Sequence, residues 1–171
     1  MRLHKVLLGC GLLLSSVTMA QSSHNHAAQS KQLKGEFKMK QLLADSAFTW
    51  FHNGVNRYDA NSTMVNYIKS NKDKIQLVAL VNTTDEASQN LLGRFYKVMI
   101  LASVPEESIH MYGADNSGNT GNDVADGYKI KRVPTILVMR DGKEEGRISG
   151  NSKESVEQDL AQIIMKMNKK D

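Results

Sequence analysis

The feature that most constrains the fold is a short, nearly continuous apolar run at residues 75–81, Ile-Gln-Leu-Val-Ala-Leu-Val. It is rich in residues that favour β-structure and has the length of a single strand. Apolar character at almost every position is typical of a strand that is buried on both faces, because such a strand has no solvent-facing side. We therefore expect residues 75–81 to form the central strand of a parallel or mixed sheet.

Helical patterns lie on both sides of this run in the sequence. Before it, aromatic and aliphatic residues recur between residues 37 and 58, and Asn61 offers a cap for a second helix. After it, apolar residues fall on one face of a strongly predicted helix: Leu91, Leu92, Phe95, Val98, Met99 and Ala102. The final helix is predicted to begin near Ser152, a good N-cap residue.

The remaining elements complete a mixed sheet. Residues 108–113 predict a short strand, and a short helix is expected at residues 123–128. Residues 134–139 predict another strand, and Asp141-Gly142 is typical of a type I′ hairpin turn. The predicted order is helix, strand, helix, strand, helix, hairpin, helix. It indicates an α/β sandwich with a central mixed β-sheet flanked by helices and an N-terminal helical extension.

The first 20 residues have the pattern of a signal peptide. Arg2 and Lys5 precede an apolar stretch at residues 6–17, which is too short to span a bilayer, and cleavage is predicted after Ala20. The only cysteine, Cys10, lies inside this stretch, so the mature chain has none. A lipoprotein with Cys10 as its anchor is the rival interpretation, but the apolar run continues past Cys10, which argues against it. We expect a periplasmic or secreted protein with no transmembrane segment after cleavage.

Residues 21–36 are polar, lack apolar periodicity and are expected to form a flexible tether. His24 and His26 lie in this tether, and a floppy pair of imidazoles is a weak metal site. The loop at residues 115–123 resembles a calcium loop faintly, but its glycine is out of register. We therefore assign no metal and no cofactor.

The mature charge is small. The full chain carries 22 basic and 18 acidic residues, and the predicted signal peptide contains two of the basic ones. The mature chain therefore has a net charge of +2, which gives no support to a nucleic-acid partner.

Three segments together resemble the thioredoxin-like superfamily. Residues 128–138 are similar to the family's segment around its cis-proline, and residues 141–150 are similar to the hairpin that follows. Residues 88–96 are similar to the active-site helix of an exported bacterial subgroup. The resemblance covers about residues 40–168 and implies a thioredoxin-like domain at residues 37–171, with the peptide bond before Pro134 in the cis form.

The redox motif of that family is lost here. The family's tryptophan aligns with Thr84, its nucleophilic cysteine with Asp85, its second redox position with Ser88, and its helix proline with Gly93. Thiol–disulfide exchange needs a thiolate, which neither a carboxylate nor a hydroxyl replaces. We therefore predict no catalytic residue in the degenerate motif, which comprises Thr84, Asp85, Glu86, Ala87 and Ser88. Asp85 is expected to cap the helix by accepting a hydrogen bond from the amide of Ala87 or Ser88.

The resemblance also implies a peptide-binding groove. In the family, the residue before the cis-proline presents its backbone to an extended peptide, which requires no cysteine. The candidate peptide-binding residues are Val133, Pro134, Thr84 and Asp85. We expect a non-catalytic binding, adaptor or chaperone-like module whose partner is an extended peptide or an envelope protein. The alternatives are a thiol–disulfide oxidoreductase, as the family label implies, and a weak metal binder that uses His24, His26, His52 or His110.

Overall fold

The computed structural model describes residues 31–170, apart from the side chain of Val124. Five strands are present: β1 (Gly35–Phe37), β2 (Gln76–Val81), β3 (Ile109–Gly113), β4 (Thr135–Arg140) and β5 (Lys143–Ser149). Six α-helices accompany them: α1 (Met39–Ala44), α2 (Thr49–Arg57), α3 (Ser62–Lys69), α4 (Glu86–Leu101), α5 (Asp123–Asp126) and α6 (Val156–Asn168). Single 3-10 turns occupy Ser46–Phe48, Lys72–Lys74 and Glu106–Ser108.

The strands form one mixed sheet in the order β1-β3-β2-β4-β5. The central strand β2 runs parallel to β3 and antiparallel to β4, so Leu77 lies between Ile109 and Val138. β1 pairs antiparallel with β3 at one edge, and β5 pairs antiparallel with β4 at the other. The predicted α/β architecture with a mixed sheet and flanking helices is confirmed.

The central strand is buried on both faces, as its apolar run predicts. Leu77, Ala79 and Val81 face a large core that includes buried residues of α1, α2, α3, α4 and α6. Val78 and Leu80 face a smaller cluster, which Ala125 of α5 and the nearby Tyr128 and Ile130 cover. Because side chains alternate along a strand, both faces need apolar residues here.

Residues 31–37 differ from the tether that the sequence predicts. Gly35–Phe37 forms strand β1 at the sheet edge, and the Leu33 amide donates to Thr83 Oγ1 at 2.9 Å. A Cβ on Gly113 would lie 2.2 Å from the Leu33 carbonyl oxygen, so the glycine at that position allows this close approach. Backbone bonds hold the segment together with Leu33 and Phe37, which pack on the large core, and two apolar side chains among polar neighbours give no periodic pattern. Strand β1 thus begins within the predicted tether, while residues 1–30, including the predicted signal peptide, lie outside the described part.

The hairpin turn that the sequence predicts in the last third of the chain is present in the structure. Asp141 and Gly142 both have positive φ, at 51° and 74°, as a type I′ turn requires, and β4 and β5 pair on either side. The final helix is capped by Ser155, whose hydroxyl accepts from the Gln158 amide, and not by Ser152. Among residues 31–170, no helix is both long and apolar enough to cross a membrane.

Candidate functional site

The N-terminus of α4 lies just beyond the end of β2, and Asp85 is its N-cap. The Asp85 backbone is extended, and its side chain accepts a hydrogen bond from the Ser88 amide at 2.8 Å. This confirms the capping role that the sequence predicts. Ser88 itself is only 1% exposed, and its hydroxyl accepts from the Asn82 amide at 3.1 Å.

Asn82 joins the start of α4 to the loop that follows β3. Its side chain is 6% exposed, and its Nδ2 donates to Asn116 Oδ1 at 2.8 Å. Its Oδ1 accepts from both the amide and the hydroxyl of Thr84, at 2.9 and 2.7 Å. A buried amide with its donor and acceptor both engaged fixes the relative position of the groups that it bonds. Asn82 therefore holds two walls of one cleft together.

The loop after β3 is organised around Asp115. Its Oδ1 accepts from the Ser117 amide, the Ser117 hydroxyl and the Asn119 amide, at 2.9, 2.6 and 3.0 Å. Its Oδ2 pairs with Lys34 Nζ at 3.0 Å. The Ser117 hydroxyl bond, followed by the bond from Lys34, holds the pKa of the Asp115 carboxyl well below its ordinary value. Asp115 is thus an anion that stabilises its own turn.

The opposite wall of the cleft is the segment before β4. The peptide bond between Val133 and Pro134 is cis, as the resemblance implies, and the Pro134 carbonyl accepts from the Gly150 amide at 2.7 Å. The Arg132 carbonyl accepts from the Thr135 hydroxyl at 2.8 Å. Within residues 31–170, neither the N–H nor the C=O of Val133 makes a hydrogen bond. Val133 therefore presents an unpaired backbone unit beside the cleft.

Together these walls enclose a cleft of about 470 Å³. Asp85 and Asp115 contribute carboxylates to its lining, whereas Lys131 and Arg132 contribute cations. The other lining residues are Asn82, Asn116, Ser117, Gly118, Ile130 and Val133. The cleft therefore carries both signs of charge, together with the free backbone of Val133. This combination suits an extended peptide, whose backbone offers donors and acceptors and whose side chains can carry either charge.

The predicted site residues are only partly brought together. Asp85 and Val133 both line the cleft, whereas Thr84, Glu86, Ala87, Ser88 and Pro134 do not. Thr84 directs its hydroxyl to Asn82, and Ser88 is buried beneath the cap. Sequence reasoning missed Asn82 and the turn at residues 115–118. A polar residue directly after a buried strand was the available signal for Asn82, but no local pattern shows that the later turn faces it.

The geometry of the described residues gives no support to the metal-binding interpretation of the histidines. Residues 31–170 contain no group of three or more histidine, cysteine, aspartate or glutamate side chains that could hold an ion. His52 Nε2 lies 3.3 Å from the Leu43 carbonyl, and His110 Nδ1 lies 3.9 Å from Glu36. Asp115 accepts hydrogen bonds from its own loop. His24 and His26 lie outside the described residues.

Comparisons with known proteins give a fold-level relationship. No family model matches the chain, and no curated protein matches it. Among solved structures, the chain is similar to the crystal structure of a protein of unknown function from Pseudomonas aeruginosa. The two share 13% sequence identity with a TM-score of 0.50, and the match covers 79% of this chain and 84% of the other. At that identity the similarity concerns the fold alone.

Proposed function

We propose that this chain is an exported protein of thioredoxin-like fold that binds an extended peptide without redox chemistry. The binding site is the cleft between Asp85, the Asp115 turn and Val133. It serves as a binding, adaptor or chaperone-like module for a peptide or an envelope protein. The export signal is residues 1–20, and the location is the periplasm or the exterior.

Three features support the thioredoxin-like assignment. The element order from α3 onward is helix, strand, helix, strand, helix, hairpin, helix. The cleft lies between the N-terminus of α4 and the segment at Val133-Pro134, where the family has its active-site helix and its cis-proline. Asp85 stands at the position of the family's nucleophile and caps α4 through the Ser88 amide. A helix N-terminus favours negative charge, whether from a thiolate or from a carboxylate.

The single observation that carries the binding proposal is the free backbone of Val133. An unpaired N–H and C=O beside an open cleft can accept an extended strand, which is how main-chain pairing gives affinity in β-augmentation. Charged side chains on the two walls then give selectivity through the side chains of the peptide. No thiol is needed for any of these contacts.

A peptide-display selection on the purified full chain tests this proposal. We expect enriched peptides to bind the wild-type protein and to bind Val133→Asp about tenfold more weakly or worse, a loss of at least ~1.4 kcal/mol. Ile100→Asp is the matched control, because Ile100 is 51% exposed on α4 and does not line the cleft. Failure to enrich any peptide, or equal binding by Val133→Asp, would refute the proposal.

The oxidoreductase alternative has its own test. Reduction of insulin by dithiothreitol should proceed no faster with the mature chain than in buffer, because the mature chain offers no thiolate to form a mixed disulfide. Acceleration above buffer would favour the enzyme and overturn the redox-inactive assignment.

A further inference from the structure

A second cleft lies between helices α2 and α4, on a surface that the proposed function does not use. Its volume is about 400 Å³. From α2 it takes Trp50, Asn53, Gly54 and Arg57, which follow the i, i+3, i+4, i+7 spacing of one helix face. Asn90 and Arg94, one turn apart on α4, form the facing wall. Two regular helices therefore position every one of these side chains.

A close helix crossing explains why the two faces meet. A Cβ on Gly93 would lie only 3.1 Å from the Cα of Gly54, so the two backbones are nearly in contact at this point. Arg57 lies three residues after Gly54, and Arg94 directly follows Gly93. The crossing thus brings two arginines from different helices to the same opening.

The charge of this cleft has one sign. Neither Arg57 nor Arg94 forms an ion pair within residues 31–170, and no acidic residue is among those that line the cleft. Arg94 lies over the ring of Tyr58, with its Cζ 5.7 Å from the ring centroid, a cation–π arrangement that orients the guanidinium. The Asn53 and Asn90 amides add neutral donors. Two guanidinium groups without an ion pair, beside amide donors, offer the kind of donors that bind an oxyanion.

The carboxylate beneath this cleft is already satisfied. Glu157 is 2% exposed and accepts from the Tyr58 hydroxyl at 2.8 Å and the Asn61 amide at 2.9 Å. It therefore fixes Tyr58 rather than pairing with an arginine. Arg94 also borders a smaller depression that contains Glu154, but the two side chains form no ion pair.

Trp50 lines the cleft with another part of its side chain, and its indole N–H is an unpaired donor. The Nε1 of Trp50 is buried and has no hydrogen-bond acceptor among the described residues. Unpaired buried donors are uncommon in folded proteins, because burial removes water without supplying another acceptor. This nitrogen has almost no accessible surface, so it does not face the open cleft and is not one of its donors.

We propose that the cleft between α2 and α4 binds a small oxyanion, a phosphate or carboxylate group, through Arg57 and Arg94. Asn53 and Asn90 supply further donors, and the rings of Trp50 and Tyr58 form apolar walls. This site is independent of the peptide cleft. Neither Arg57 nor Arg94 lines that cleft.

Trp50 makes the test direct, because it is the only tryptophan in the chain. Inorganic phosphate and succinate are titrated into the full chain at constant ionic strength, with tryptophan fluorescence and calorimetry as readouts. We expect a saturable signal, with affinity about tenfold weaker in Arg57→Gln and in Arg94→Gln. Lys74→Gln removes one exposed cation that does not line the cleft, and its affinity should match the wild type.

The two probes separate the sources of the oxyanion. Saturation by phosphate alone assigns the site to phosphate groups, saturation by succinate alone assigns it to carboxylates, and both results support the proposal. No saturable signal with either probe in both readouts overturns it. So does an equal loss of affinity in Lys74→Gln, which would indicate general charge attraction. Circular dichroism of each variant verifies that α2 and α4 remain folded.

Discussion

The carboxylate of Asp85 accepts a hydrogen bond from the backbone amide of Ser88 at 2.8 Å, which ties the first turn of α4 to its N-cap. The first amides of a helix have no partner within the helix itself, and an acidic side chain at the N-cap both accepts from them and complements the helix dipole. Under the thioredoxin-like assignment proposed above, Asp85 stands where the family has a thiolate, and it supplies negative charge at the same helix N-terminus.

Replacing Asp85 tests the cap. Asp85→Ala should lower the free energy of unfolding by about 1 kcal/mol, because the Ser88 amide loses its acceptor. Asp85→Asn is the control, since its side-chain oxygen can accept the same bond and should restore most of the stability. Urea denaturation followed by circular dichroism measures both. Equal stability of wild type and Asp85→Ala would show that the cap contributes nothing.

Two cysteines, one at the N-cap of α4 and one in its first turn, test the resemblance to the thioredoxin-like superfamily. Residues 85 and 88 are three apart at a helix start, close enough for the Cα separation that a disulfide needs. We expect the double variant Asp85→Cys and Ser88→Cys to form an intramolecular disulfide in glutathione buffer and to accelerate insulin reduction. Thiol counting by mass spectrometry measures the first outcome. Both variants are made in the chain without residues 1–20, which lacks Cys10, so the single variant Asp85→Cys is the control and should form no intramolecular bond. A double variant that stays reduced would contradict the proposed thioredoxin-like assignment of positions 85 and 88.

Local signals account for the elements that the sequence predicts well. The apolar face of α4 and the Asp85 cap depend on residues within a few positions of each other, and both are present in the structure. The Asp141-Gly142 turn is equally local, because its two positive φ angles follow from the residue types. Such features are predictable from the sequence because the interactions that form them involve residues only a few positions apart.

Long-range contacts account for what the sequence does not predict. Strand β1 exists because Gly113 admits the Leu33 backbone and Thr83 bonds residues 31 and 33, and each partner is about 50 or more residues away. The Asp115 turn reaches the cleft because β2 and β3 are parallel and end at the same edge. Neither arrangement leaves a local pattern. The sequence therefore predicts Asp85 and Val133 as neighbours of one cleft, but it does not predict that the Asp115 turn lines the same cleft.

At the crossing of α2 and α4, we expect alanine to have opposite effects on stability at Gly54 and at Gly93. A Cβ on Gly93 would lie 3.1 and 3.2 Å from backbone atoms of Gly54, whereas a Cβ on Gly54 would lie 3.4 Å from Gly93, an ordinary contact. Alanine in a helix gains about 1 kcal/mol over glycine, and overpacking costs about 1–3 kcal/mol. We expect Gly54→Ala to raise stability slightly and Gly93→Ala to lower it by about 1 kcal/mol. Thermal and urea unfolding measure both, and the same sign for both variants would contradict the close crossing.

We expect the stability of the folded protein at alkaline pH to depend on the hydroxyl group of Tyr58. Burial, followed by the hydrogen bond to Glu157, raises its pKa from 10.0 to about 12. A raised pKa means that the folded state favours the neutral phenol, so this stabilisation is complete below pH 10 and is lost as the pH rises from 10 to 12. The urea midpoint should therefore fall more steeply over that range in the wild type than in Tyr58→Phe. Tyr96→Phe removes another tyrosine whose pKa is raised by burial and is the positive control, because its slope should also be shallower than that of the wild type. Identical slopes in wild type and Tyr58→Phe would exclude this linkage.

Asp115 makes two kinds of interaction in the wall of the peptide cleft: hydrogen bonds within its own turn and an ion pair with Lys34. Substitutions at Asp115 show which of the two orders the turn. Oδ1 accepts from two Ser117 groups and the Asn119 amide, while Oδ2 pairs with the exposed Lys34. Hydrogen bonds to a charged group generally contribute more to stability than an exposed ion pair, so we expect the acceptor geometry to dominate. Asp115→Ala should speed hydrogen exchange at the Ser117 and Asn119 amides by about tenfold or more. Asp115→Asn keeps an Oδ1 acceptor and removes the charge, and its exchange should stay near the wild-type rate. Equal acceleration in both variants would instead assign the order of this wall to the ion pair with Lys34.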